Sequence, residues 1–255
     1  MSKLIVLASI TATACITNPP DSSGQSADSV VAAASDADPR NPALFDPTKP
    51  YRPDFDPADM DTHVDAPMLP LPVGAHWRYR SVTADGTEII DVSVLSGTEP
   101  IGGTRARIIR DVAHLDGVLI EQTTDWFAQD DHDNVWYLGE STRALQDDGT
   151  FSDEGSWRTA ENGAKPGVAM LADPRVGDAY RQEFRKGHAE DFAIVVGFNK
   201  SVAVPAGSFH GCMQTRDKST LDLTLEELKT YCPGVGLVLT EEGDVREELI
   251  KYSGL

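Results

Sequence analysis

The chain has 255 residues, enough for one large domain or two small ones that bury a real hydrophobic core. Hydrophobic residues make up 40% and charged residues 25%, as in ordinary globular proteins, but the formal net charge is −19. A surface of this sign repels phosphate backbones, which excludes nucleic acid as a partner bound by charge attraction. It suits solubility, cations or basic partners.

The first residues are typical of an export signal. Lys3 precedes an apolar run from Leu4 to Ala14, and small residues come directly before Cys15. The run is too short for a permanent transmembrane helix, which needs about 20 apolar residues. We therefore predict that residues 1–14 are a signal peptide.

The end of this segment resembles the lipobox of bacterial lipoproteins, with Ala12-Thr-Ala-Cys15 at the cleavage position. The resemblance implies that Cys15 becomes the first residue and carries acyl chains, so that the membrane is a partner through the lipid. Ala12 departs from the usual leucine, and Ala12-x-Ala14 also fits an ordinary secretion site, so both kinds of cleavage stay open. Ile16 after the cysteine implies the outer membrane in a Gram-negative host.

Residues 15–65 have the composition of a disordered acidic linker, because small polar residues and prolines dominate the first part. Six aspartates follow in the second part: Asp46, Asp54, Asp56, Asp59, Asp61 and Asp65. Calcium prefers such ligands, but no D-x-[DN]-x-[DN]-G loop is present, so we interpret them as solvated. Tyr51, Phe55 and Met60 are the residues suited to anchor this segment to the edge of a domain.

Residues 66–255 predict one all-β domain. Short apolar runs alternate with turn residues; Asp85-Gly86, for example, separates the runs His76–Val82 and Thr87–Leu95. About ten antiparallel strands with short connections predict a curved meander, in the form of a barrel, a half-barrel or a sandwich. Leu221–Lys229 fits both a strand and a helix.

Cys212 and Cys232 lie on strands that we expect to be neighbours. An exported protein experiences an oxidising compartment, so these cysteines are expected to form a disulfide. If 209–216 pairs with 227–232, the bridge closes about twenty residues and stabilises the domain by about 3 kcal/mol. The alternative is a metal thiolate site, for which His210 is the obvious further ligand.

Several landmark segments occur in a fixed order: Asp125–Glu140, Gly155–Trp157, Gly163–Gly167, Asp173–Asp178, Tyr180–Glu183, Ala189–Asp191, Val204–Phe209 and Tyr231–Val238. Together they resemble a group of uncharacterised secreted bacterial proteins over about residues 70–252. The resemblance implies export and the extent of the domain, and it implies no catalytic residue. Cys232 departs from the commoner pattern of a small residue before Pro-Gly-Val-Gly, which makes the disulfide a local addition.

The first candidate ligand or metal site consists of Asp130, Asp131 and Asp133 around His132. Carboxylates at this spacing are suitable ligands for a hard cation such as calcium. They also sit where a hairpin tip is expected, so solvated turn chemistry is the alternative interpretation.

The second candidate site consists of His188, Glu190 and Asp191, which follow Gly187. A carboxylate beside a histidine fixes its tautomer and raises its basicity, which suits metal binding or a hydrolase. On a strand, however, His188 and Glu190 share one face and Asp191 the other. The alternative is a surface loop with an ion pair to Arg181 or Arg185.

No motif with a known catalytic mechanism is present in the sequence. We therefore predict an exported, membrane-anchored lipoprotein whose β-domain is non-enzymatic and has a binding or structural role. No resident cofactor is expected, and the ligand or protein partner is unknown. A calcium-binding protein and a hydrolase are the alternatives. Aromatic residues on the strands form either the core or a concavity for an apolar or glycan ligand.

Overall fold

A computed structural model describes residues 38–255. The predicted signal peptide, Cys15 and the first part of the predicted linker lie outside these residues. Within the described part of the chain, no helix is long and apolar enough to cross a membrane. A short 3₁₀ turn at Pro57–Asp59 precedes a series of strands.

The strands, in chain order, are β1 His76–Thr83, β2 Gly86–Ile101, β3 Thr104–Leu115, β4 Val118–Gln129, β5 Val135–Leu145, β6 Phe151–Ser152, β7 Trp157–Arg158, β8 Gly167–Met170, β9 Ala179–Arg181, β10 Asp191–Val204, β11 Gly207–Ser219, β12 Glu226–Cys232, β13 Gly236–Glu242 and β14 Val245–Ser253. The ambiguous stretch Leu221–Lys229 is therefore a turn followed by a strand.

All fourteen strands belong to one antiparallel sheet, which confirms the all-β prediction. Consecutive strands pair from β1 to β6 and from β9 to β14, and β1 pairs with β14. β7 and β8 both pair with β5, so β5 with its partners and β9 form the two ends of the sheet. The sheet is not closed by strand pairing, but it curls until these ends approach each other at a single bridge between Lys165 and Phe184.

Alternation of apolar and polar residues explains which side of the sheet forms the core. In β1, Trp77, Tyr79 and Ser81 are buried, whereas Arg78 and Arg80 between them are exposed. The Trp77 Nε1–H donates to the carbonyl of Val235 at 2.8 Å, which satisfies the polar atom of this buried ring. The inner face of the curled sheet is thus the hydrophobic core.

The structure differs from the predicted linker boundary, because the chain packs on the sheet from residue 38 onward. The Phe45 amide donates to the carbonyl of Ala179 at 3.0 Å, and the Arg181 amide donates to the carbonyl of Ala43 at 2.7 Å. Tyr51 is buried, and its hydroxyl donates to the carbonyl of Pro166 at 2.7 Å. Residues 38–65 follow the sheet because their few apolar side chains and main-chain groups find partners there.

The cysteine pair forms the predicted disulfide. β11 and β12 are neighbouring antiparallel strands, and Cys212 and Cys232 are bonded with their Cα atoms 4.2 Å apart. Both residues are buried. The bridge ties two neighbouring strands of the sheet.

Candidate functional site

The inner face of the sheet changes from apolar to acidic along its strands. Nine acidic side chains are buried, each with at most 7% of its surface exposed: Glu88, Asp111, Asp125, Glu140, Glu183, Asp191, Asp217, Glu227 and Glu247. We call them the interior carboxyl cluster. Within residues 38–255, Lys229 and Arg181 are the only buried basic residues. A buried charge is costly unless it is paired, so this imbalance requires a physical explanation.

One part of the cluster is paired with a cation. The Lys229 Nζ lies 3.1 Å from the Asp217 Oδ2 and 3.1 Å from the Glu227 Oε2. Burial disfavours the charge of Lys229, but the carboxylates of Glu227 and Asp217 outweigh it and hold the pKa of Lys229 well above its usual value. This lysine therefore stays charged.

Another part of the cluster has no such partner. Neither carboxyl oxygen of Glu183 has a hydrogen-bond partner among the described residues, and the same holds for Glu140. The hydroxyl of Tyr137, which lies nearby, donates to the Asp125 Oδ1 at 2.8 Å instead. The oxygens of Glu140 and Glu183 therefore have no close partner, and the opposing effects of Tyr137 on Glu140 and of Lys229 on Glu183 are smaller than that of burial.

Burial and mutual repulsion favour the neutral form of these carboxyls. Burial is the larger cause and raises the pKa of Glu183 well above its usual value, and repulsion from Glu140, Asp191 and Asp125 adds to it. Burial also raises the pKa of Glu140 well above its usual value. Burial raises the pKa of Asp125 to about 7, although its hydrogen bond with Tyr137 opposes the shift. Protons therefore neutralise much of the cluster.

A cleft lies on the other side of β9. It has a volume of about 1020 Å³ and is lined by residues from 38–54 together with residues near the end of the sheet. Alternate residues of a strand point to opposite faces, so Tyr180 faces the interior while Arg181 lines the cleft. The Arg181 guanidinium lies 4.6 Å from the ring centroid of Phe45 and 5.6 Å from that of Phe184. Its Nη1 donates to the carbonyl of Glu190 at 2.6 Å.

The first predicted site forms a hairpin turn. The Asp130 Oδ1 accepts from the amides of His132 at 3.0 Å and Asn134 at 2.8 Å, and its Oδ2 accepts from the Trp136 Nε1 at 2.8 Å. Asp133 accepts from Gln129, and Asp131 contacts His132 at the surface. Among residues 38–255, no three acidic, histidine or cysteine side chains are arranged to hold one metal ion. Calcium binding by these aspartates stays a prediction.

The second predicted site is divided between the surface and the interior. His188 is exposed in a turn, whereas Asp191 is buried in the interior carboxyl cluster. Glu190 accepts from the Gly187 amide at 2.7 Å, and its Oε2 lies 3.7 Å from the Arg181 Nη2. The structure therefore does not bring the three side chains to one point, and the geometry agrees with the ion-pair alternative.

The sequence interpretation missed Glu140, Glu183 and Lys229. The sequence contains a pattern that could have found Lys229. Glu227, Lys229 and Tyr231 alternate along β12, so their side chains point to the same, buried side of the strand. A charged residue in phase with apolar core positions indicates an inward-facing charge. Glu140 and Glu183 also end two of the landmark segments noted above.

Comparisons with known proteins give a distant structural similarity and no sequence match. No protein-family model matches the chain, and no curated protein matches its sequence. A crystal structure from Parabacteroides distasonis ATCC 8503, described as a "putative lipoprotein", is similar with 12% sequence identity and a TM-score of 0.38. The similarity covers 74% of this chain and 99% of that chain. Such a distant likeness carries no argument about function. The class that the fold itself defines is an all-β protein built on one curled antiparallel sheet.

Proposed function

We propose that the chain is an exported, lipid-anchored protein whose β-domain is a non-enzymatic binding module. The disulfide between Cys212 and Cys232 supports export, because such bonds persist in oxidising compartments. The apolar segment Leu4–Ala14 directly before Cys15 supports cleavage and lipid attachment at this cysteine.

Metabolic labelling tests the lipid anchor. The full-length protein is expressed in a Gram-negative host that is fed an alkyne fatty acid, and the label and membrane fraction are measured. We expect Cys15→Ser to lose the label and to leave the membrane fraction. The matched control, Cys212→Ser with Cys232→Ser, keeps the label. An unlabelled, soluble parent protein would show ordinary secretion instead.

The binding role rests on the cleft beside β9. Its volume of about 1020 Å³ suits a small molecule rather than a macromolecule. The rings of Phe45 and Phe184 provide apolar walls. The basic side chains of the lining outnumber the acidic ones by one: they are Lys49, Arg52, Lys165, Arg181 and Lys186, against Asp38, Asp46, Asp54 and Glu190. Cationic groups bind carboxylate or phosphate oxygens with strong hydrogen bonds. The ligand class that fits best is therefore a small molecule with an apolar part and an anionic group.

A fluorescent probe tests this assignment. Anilinonaphthalene sulfonate combines an aromatic body with one anionic group, and its affinity for the full-length protein can be measured by titration. We expect Lys165→Glu with Lys186→Glu to weaken binding at least about tenfold, because each repels the sulfonate. Lys200→Glu, an exposed change outside the cleft, is the control. Equal affinities in both variants would contradict a ligand site in the cleft.

A further inference from the structure

The two ends of the sheet meet along a seam that strand pairing does not close. We define the seam as residues 163–170, which end in β8, and residues 181–185, which begin at the last residue of β9. The Lys165 amide donates to the carbonyl of Phe184 at 2.8 Å. The backbones are close, since a Cβ at Gly167 would lie 1.9 Å from the carbonyl oxygen of Gln182. Tight packing and one bridge hold this seam.

Carboxyls from both ends of the sheet face this seam from the inside. Glu140 belongs to β5, which pairs with β8, and Glu183 lies in the seam itself. Asp191 begins β10, and its carbonyl accepts from the Glu183 amide at 3.3 Å. Repulsion between Glu140 and Glu183 therefore acts across the junction of the two ends.

Several buried polar atoms near the seam have no hydrogen-bond partner among the described residues. Both carboxyl oxygens of Glu183 and of Glu140 lack a hydrogen-bond partner among the described residues, although each residue is only 1% exposed. Trp157, the strand partner of Glu140, has an unpartnered Nε1 and is 3% exposed. Buried polar groups normally find partners, so this side of the interior has unused hydrogen-bonding capacity.

The surroundings of Glu140 and Glu183 contain little positive charge. The titratable groups that act on them are Glu121 and Asp125 of β4, Tyr137 of β5, Asp191 of β10 and Lys229 of β12. Lys229 is the single cation of this set, and it is shared by Asp217 and Glu227. Its charge therefore cannot neutralise Glu140 and Glu183 as well.

We propose that the seam is a proton-controlled latch, in which protonated Glu140 and Glu183 hold the ends of the sheet together and loss of these protons separates them. Two carboxylates in a water-poor interior repel each other strongly, whereas two neutral carboxyls do not. The closed seam thus binds more protons than an open one. Each extra proton lowers the closing equilibrium constant about tenfold for every pH unit gained.

Hydrogen exchange of the full-length protein tests the latch. Peptides that cover 163–171 and 179–190 are followed by mass spectrometry at about pH 5 and about pH 8, with correction for intrinsic exchange. We expect seam protection to fall at least about tenfold at the higher pH, and to fall more than the protection of β1, which carries none of the interior carboxyls. Seam protection that is the same at both pH values would overturn the proposal.

Variants separate proton control from general destabilisation. Glu183→Gln imitates a protonated carboxyl, so we expect its seam protection to fall less between the two pH values than that of the parent protein, and Glu140→Gln provides the same test if the first variant folds poorly. Glu154→Gln, an exposed control, should behave like the parent protein. Equal loss of seam protection at both pH values in both interior variants would contradict the latch.

Added calcium is the final arm of the experiment. Cations are the other means of neutralising buried carboxylates. We expect calcium to leave seam protection at about pH 8 unchanged. Protection that calcium restores in the parent protein, but not in Glu183→Gln, would assign the latch to a cation and overturn proton control.

Discussion

Two parts of the interior carboxyl cluster are neutralised in different ways. Asp217 and Glu227 share the charged Lys229 at 3.1 Å each, whereas Glu140 and Glu183 face other carboxyls and no cation of their own. All five residues are at most 1% exposed. Equal burial therefore does not decide the charge state; the identity of the neighbouring side chain does.

The difference follows from how each part is assembled. Glu227 and Lys229 are two residues apart on β12, and Asp217 is the strand partner of Glu227 on β11. The period of two in a strand places Glu227 and Lys229 on one face. The paired part is therefore built from one strand and its immediate neighbour. Glu140 and Glu183 come from the opposite ends of the sheet and meet only because the sheet curls.

The largest effect should come from breaking the paired part. Lys229→Met leaves the carboxylates of Asp217 and Glu227 buried without a cation, and we expect a loss of about 3–5 kcal/mol in the free energy of unfolding. Urea denaturation at neutral pH measures it. Lys218→Met, which removes a more exposed ion pair with Glu226, should cost at most about 1 kcal/mol. Similar losses of stability in both variants would refute the distinction between the buried and the exposed ion pair.

The disulfide joins the two strands that carry the paired part. Replacing Cys212 and Cys232 together by alanine reopens a loop with a sequence separation of 20 residues. We expect a loss of about 3 kcal/mol in the free energy of unfolding. Denaturation of the oxidised parent protein and the double variant measures this, and a reduced parent should resemble the variant. No change on reduction would show that the bond adds no stability.

The interior carboxyls that Lys229 does not contact should make the stability of the protein depend on pH. Burial raises the pKa of Asp125 from 3.8 to about 7 and that of Glu88 from 4.5 to about 7. The folded protein then holds protons that the unfolded chain has released, so stability falls as the pH rises from about 4 to about 7. Denaturation curves across this range measure the slope.

Asp125→Asn sharpens the same test at a single residue. The amide oxygen can still accept from the Tyr137 hydroxyl, but the side chain no longer needs a proton to be neutral. We expect a gain of about 1–3 kcal/mol relative to the parent protein at about pH 8, and little change at about pH 4. A gain of the same size at both values would rule out titration as the cause.

The smallest effect should come from charges on the outer face. Arg246 forms ion pairs with Glu241 and Glu248 near the turn between β13 and β14, and 44% of its side chain is exposed. Arg246→Gln should change the free energy of unfolding by less than about 1 kcal/mol, because water screens such pairs. Thermal denaturation in low and high salt measures this change in stability. A large loss would mean that outer charges matter as much as inner ones.

Much of the fold could be predicted from local patterns. Turn residues such as Asp116-Gly117, both with positive φ, separate the strands as expected. The spacing of Cys212 and Cys232 predicted the disulfide and the pairing of their strands. Local patterns do not show that residues 38–65 pack on the sheet, because their contacts are made with strands that are distant in the sequence.

Local sequence patterns did not predict most of the candidate site. In β4, all residues from Asp125 to Gln129 are buried, and the register shifts between Trp126 and Phe127. A shift of one residue changes which side chains point inward, so alternation alone does not identify Asp125 as an interior group. The cleft beside β9 was missed for a similar reason, because one wall comes from the segment that was interpreted as a linker.

The sequence by itself determined the all-β class, the turns and the cysteine pair, because each depends on residues that are close in the chain or on neighbouring strands. Only the tertiary structure decided that nine acidic side chains share one interior and that a single lysine pairs with two of them. The physical reason is that the curl of the sheet, which unites Glu140 with Glu183, depends on the summed twist and register of fourteen strands.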